Sequence, residues 1–69
     1  MERVFIKINC NTTLEFRRLN ADHWRVVTMR GMVLGQVWNG CAWLADRPQG
    51  YISPYMVEAI LDVATLLPS

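Results

Sequence analysis

The sequence predicts an α+β fold, an antiparallel β-sheet of four or five strands with one C-terminal α-helix packed on one face. Three observations lead there. Apolar and polar residues alternate through the first two thirds of the chain, in stretches too short for helices and separated by turn residues. Asn39-Gly40 is the strongest short hairpin signal available, because both central residues of a type I′ turn need positive φ. After Ser53-Pro54 the apolar period changes from that of a strand to that of a helix.

The first strand is Val4 to Cys10, in which Val4, Ile6, Ile8 and Cys10 alternate with Phe5, Lys7 and Asn9. Asn11 to Thr13 interrupts it. Leu14 to Leu19 and His23 to Met29 are the next two strands, joined by a turn at Asn20-Ala21-Asp22, where Asn and Asp suit the geometry. A two-residue turn at Arg30-Gly31 and the Asn39-Gly40 hairpin then carry the chain through two more passes to Ala45. Arg47-Pro48-Gln49-Gly50 is a loop, with Pro and Gly as its breakers. Ser53 caps the helix and Pro54 occupies its first position, where the missing N–H had no partner to lose. The helix runs to Leu66 or Leu67 and stops at Pro68. Glu58, Asp62 and Thr65 make its polar stripe, and Val57, Ile60, Leu61 and Ala64 line the other side.

These turns set a register. They pair Trp38 with Cys41, Gln36 with Trp43 and Leu34 with Ala45; Met29 with Met32, Val27 with Leu34 and Arg25 with Gln36; and Leu19 with His23 and Arg17 with Arg25. Since side chains alternate across a strand, one face collects Phe16, Trp24, Val26, Thr28, Val33, Gly35, Val37, Ala42 and Leu44, apolar apart from Arg18 at a hairpin end. The helix, about 13 residues and roughly 20 Å long, covers one face of such a sheet and no more. It belongs on the apolar face, where Gly35 lets it come close. The other face is left to solvent, to the first strand or to another molecule.

Size and composition bound the function. At 69 residues the chain is expected to be a single domain, residues 1–69, near the length at which one core barely offsets chain entropy. With 52% hydrophobic and 19% charged residues it is too apolar to stay disordered. No stretch is long enough to span a bilayer and the N-terminus does not read as a secretory signal, so a cytoplasmic protein without a membrane partner is expected. Cys10 and Cys41 are then reduced structural thiols, their spacing fitting neither zinc nor a redox pair. The formal net charge of +1 hides an asymmetry, with cations concentrated on the strands and anions on the helix.

Catalytic residues, cofactors and metal ligands are not expected. The single histidine, His23, lies beside a turn, where a solvated role outweighs a general base, and the chain carries no phosphate loop or nucleophile elbow. The second face is the candidate site: Arg17, Arg25, Gln36, Trp38, Trp43 and Leu34 form a surface of arginine beside tryptophan, a composition enriched in interface hot spots. The expected function is a small non-catalytic module that docks on a protein partner, or on another copy of itself, through that face. The alternative is nucleic-acid binding, with Arg17 and Arg25 on phosphates or guanine edges, Gln36 on adenine and Trp43 stacking.

The spacing of His23-Trp24-Arg25-Val26, Gly31, Leu34-Gly35-Gln36-Val37 and Ala42-Trp43, followed by a helix, resembles the arm-type DNA-binding domains of phage and transposon integrases. It also resembles the small β-meander-plus-helix proteins of phages and mobile elements. The likeness covers about half of the chain. The first resemblance implies a sheet that enters a DNA groove with Arg17, Arg25, Gln36 and Trp43. The second implies an inhibitor or adaptor that docks on a host protein.

Overall fold

The computed structural model describes residues 2–38, 42–46 and 52–68. It contains the strands β1 (Arg3–Asn9), β2 (Thr12–Asn20), β3 (His23–Thr28), β4 (Val33–Trp38) and β5 (Ala42–Ala45), then the helix α1 (Pro54–Ala64). The strands form one antiparallel sheet in chain order, β1-β2-β3-β4-β5. The α+β class, the sheet and its single helix are therefore as predicted. β1 extends the sheet at its edge beside β2 and leaves the second face uncovered by it. Among the described residues no helix is long and apolar enough to cross a membrane.

Local chemistry explains the three reversals among the described residues. At β1–β2 the Asn9 side chain accepts from the Asn11 N–H at 2.9 Å, so the asparagine closes the turn on its own backbone. Asn20 repeats the device, accepting from the Asp22 N–H at 3.3 Å. Here Asn20 pairs with His23, which shortens the predicted three-residue turn, and a register shift between Arg18 and Asn20 absorbs the difference. The β3–β4 loop is longer than the predicted two residues. The Gly31 N–H donates to the Thr28 carbonyl at 2.9 Å, the Thr28 N–H donates to the Met32 carbonyl at 2.8 Å, and Gly31 sits at φ 92°, which only glycine adopts cheaply. A bulge between Val26 and Val27 then restores Arg25 opposite Gln36. The predicted Asn39-Gly40 turn, Cys41 and the Arg47–Gly50 loop lie outside the described residues.

The core is the apolar face closed by the helix: Leu14, Phe16, Trp24, Val26, Leu34 and Val37 with Ile60 and Ala64. Phe16 and Trp24 are fully buried on the two middle strands. The helix backbone comes nearest to β1, β4 and β5. Those two rings belong to the same buried cluster as Ile60 and Ala64 of the helix. The Ser53 Oγ accepts from the Met56 N–H at 3.2 Å and Pro54 begins the helix, as predicted. The helix ends at Ala64, short of the predicted Leu66 or Leu67, because the Thr65 hydroxyl donates to the Asp62 carbonyl at 2.7 Å and the next N–H groups turn back to carbonyls three residues earlier.

Arg18 closes one end of this layer. Its guanidinium carbon lies 4.4 Å from the centre of the Trp24 ring. Nε donates to Glu2 at 2.7 Å, Nη1 to the Ala21 carbonyl at 2.9 Å and Nη2 to the Pro68 carbonyl at 2.7 Å. One side chain thus ties the start of β1, the β2–β3 turn and the segment after α1 into a single unit.

Two parts of the predicted face assignment are corrected. The β3–β4 bulge exchanges Val33 and Leu34: Val33 pairs with Val27 on the second face, and Leu34, only 8% exposed, joins the core. In β5 the register is displaced by one residue, so Val37 pairs with Trp43 and Gln36 with Leu44. A one-residue slip turns a whole strand over. Trp43 consequently packs against the core, while Leu44 is 56% exposed on the other side and Ala42 is exposed beside Trp38. Gly35 is the reason this register fits. A Cβ there would lie 2.7 Å from two carbons of the Trp43 ring and would also meet the Leu44 carbonyl. The glycine makes room for an indole, and not for the helix as the sequence suggested.

Gly35→Val is therefore expected to cost about 1–3 kcal/mol, the range for overpacking. That corresponds to a fall in Tm of roughly 4–8 °C per kcal/mol for a domain of this size. Thermal unfolding followed by circular dichroism checks it, and a Tm equal to that of the parent would mean that Trp43 does not occupy this niche.

Candidate binding face of the sheet

The face opposite α1 is defined by the register. Arg3, Arg17, Arg25, Gln36 and Leu44 stand side by side across all five strands. Phe5, Glu15, Val27 and Val33 form the next row. Beyond these, Lys7 sits opposite Thr13 at one end, and His23, Trp38 and Ala42 lie together at the other. Of the six residues predicted for the site, the structure brings Arg17, Arg25, Gln36 and Trp38 together on this face. Leu34 belongs to the core instead and half-buried Trp43 packs against it, for the bulge and register reasons given above.

Sequence reasoning missed Arg3, Phe5, Lys7 and Leu44. Their signal was present in part, since Arg3, Phe5 and Lys7 alternate with the apolar Val4, Ile6 and Ile8. What was missing was the partner strand. Read as an interruption, Asn11 to Thr13 concealed that Thr12 and Thr13 already belong to β2, so that β1 and β2 make a tight hairpin.

Electrostatics on this face are unbalanced. Arginines directly opposite one another on neighbouring strands repel, and here Arg3, Arg17 and Arg25 occupy three adjacent strands. Glu15 offsets part of this: it accepts from Arg17 Nε at 3.0 Å and Nη2 at 3.2 Å, and Arg3 Nε lies 3.4 Å away. Glu15 is nearly buried, at 7% exposure, and beside it Val27 is fully buried. Its hydrogen bond to Arg17 holds its carboxyl below the ordinary carboxylate range, with burial pulling the other way and the charges of Arg17 and Arg3 adding to the lowering. The same bond raises Arg17. Arg25 and Lys7 take part in none of the ion pairs among the described residues.

At the opposite end of the face, the His23 ring stacks on Trp38, with centroids 4.1 Å apart and planes 11° from parallel. Its Nε2 lies 2.6 Å from Gln36 Oε1 and donates to it, which fixes the tautomer and turns the amide nitrogen of Gln36 away from the histidine. The structure places His23 at the start of β3, where the sequence predicted a strand to begin, but half-buried and holding Gln36 in position instead of solvated. The exposed carboxylates Glu58 and Asp62 are on α1, so the predicted division of charge between strands and helix is present in three dimensions. Among the described residues no three His, Cys, Asp or Glu side chains converge as metal ligands, and Cys10 is a free, exposed thiol. No family model matches the chain, and no curated protein or solved structure gives a significant match.

Because its folded-state pKa is depressed, Glu15 contributes stability that is complete above the unfolded carboxylate value of about 4.3 and is lost as pH falls through the lower folded value. Urea unfolding measured from neutral pH down to about pH 3 should show this acid loss. In Glu15→Gln the loss should be smaller and start from a lower neutral-pH stability. Parallel acid profiles for the two proteins would show that the Glu15–Arg17 pair contributes nothing.

Proposed function

We propose that this chain is a small non-catalytic binding module that docks, through the sheet face opposite α1, on a macromolecular partner carrying negative charge. One observation carries the reading: Arg3, Arg17 and Arg25 stand in a cross-strand row, with Lys7 nearby, and Glu15 is their only carboxylate neighbour among the described ion pairs. Such a row costs stability in the free protein. An anion laid along it converts that cost into binding.

The register changes bear on the partners considered for this face. Docking on an apolar protein surface relied on Trp38, Trp43 and Leu34, of which Leu34 lies in the core, Trp43 packs against it and Trp38 remains on the face. Self-association of the face with its own copy would set Arg3, Lys7, Arg17 and Arg25 against themselves, and like charges across an interface cost several kcal/mol, about enough to prevent it. An inhibitor or adaptor role of the kind known among small phage proteins fits this face if the host surface is acidic.

The test is affinity for two polyanions of different chemistry, poly-L-glutamate and a mixed-sequence oligonucleotide, at low and moderate salt. At least one should bind at low salt and weaken as salt rises. Arg25→Glu should weaken binding about tenfold or more by adding a like charge, a change of roughly 1.4 kcal/mol. Glu58→Gln on the helix should leave it unchanged. Absence of binding to either polyanion at low salt, or equal effects of the two substitutions, would overturn the reading.

A further inference from the structure

Building on that reading, we infer that the anionic partner is single-stranded nucleic acid, with its phosphates along the arginine row and unstacked bases on Phe5 and beside Gln36. The first support is the pattern on β1. Phe5 is 54% exposed and stands on the same face as Arg3 and Lys7, one pleat away on either side. An aromatic ring between cations is redundant for an acidic peptide, but it supplies stacking for a base whose neighbouring phosphates the cations hold.

The second support is width. Five strands place the outer ones roughly 19 Å apart, whereas the major groove of duplex DNA is about 12 Å wide. A sheet face of this breadth is too wide for that groove, and stacking on its side chains requires bases that are already out of a helix. This departs from the groove-entering mode that the integrase-like resemblance implied.

The third support is Gln36. With Oε1 engaged by His23, its amide nitrogen is left to donate, and the His23–Trp38 stack holds it at the end of the arginine row. A base lying there would be met by a pre-oriented donor next to the cations. Exposed Leu44 ends the same row and adds apolar contact.

The experiment is fluorescence anisotropy with labelled single-stranded oligothymidylate of about 12 nucleotides, within the usual site sizes. It is repeated with a duplex of equal length and with poly-L-glutamate as competitor. The single strand should bind more tightly than the duplex and resist competition by equal charge on polyglutamate. Phe5→Ala should weaken it roughly 5- to 150-fold, the range that loss of one stacked base gives, and Phe5→Leu should fail to restore it. Arg25→Ala should reduce the slope of log K against log salt by about 0.7, one phosphate's share on a single strand. Phe5 is exposed, so both variants are expected to keep the parent Tm, which the same samples report.

Duplex binding as tight as single-strand binding, or no effect of Phe5→Ala, overturns the inference and leaves the anionic-partner reading standing. Preference for polyglutamate also overturns it and points to an acidic protein. If no polyanion binds, both readings fall together.

Discussion

The absent side chain at Gly35 governs what this domain shows to the outside. With no Cβ on that residue the Trp43 indole can lie against the core side of β4, and the only register that puts it there turns Leu44 outward opposite Gln36. Burial of a large aromatic outweighs the exposure of one leucine. From that choice follows the chemistry of the open face. It gives up Trp43 and keeps Trp38 at one end, so more of its character falls to the arginine row. A backbone vacancy on one side of the sheet thereby decides which side chains stand on the other.

Much of the fold was legible in the sequence because it rests on alternation and turn chemistry, both local. Phe16, Trp24, Val26 and Val37 were assigned to the core, and they are fully buried there. The helix start at Ser53-Pro54 was equally plain, since capping is decided by adjacent residues. Arg17 opposite Arg25 and Arg25 opposite Gln36 were also foreseen, although neither connecting turn has the expected length. In both hairpins a register irregularity takes up the extra or missing residue, so the pairing beyond it survives. Leu34 and Trp43 escaped for the complementary reason. A bulge and a one-residue displacement are chosen by packing against distant residues, and alternation carries no trace of them. Arg3, Phe5 and Lys7 went unread for lack of the β1–β2 pairing, which the Asn9 turn closes.

The near-neutral charge of the chain is a poor guide to the field around it. Glu58 and Asp62 sit on the helix and Arg3, Lys7, Arg17 and Arg25 on the far side of the sheet, so the two layers carry opposite signs. At physiological salt exposed charges are felt over about 8 Å. A ligand approaching the sheet therefore meets the cations well before the helix carboxylates can weaken them. Glu15 has a different part. Nearly buried and bonded to Arg17 at two points, it holds that guanidinium in a fixed pose.

Arg18 has a consequence for how the domain can be combined with other proteins. Its Nε reaches Glu2 and its Nη2 reaches the carbonyl of Pro68, so residues near the two ends of the chain meet across the breadth of one guanidinium. They do so on the helix side of the layer, where Arg18 also covers Trp24. A chain that enters and leaves at nearly the same point can be spliced into a surface loop of a host protein without forcing that loop open. The arginine face would then project outward from that loop, carrying its row of guanidinium groups onto scaffolds unrelated to this one.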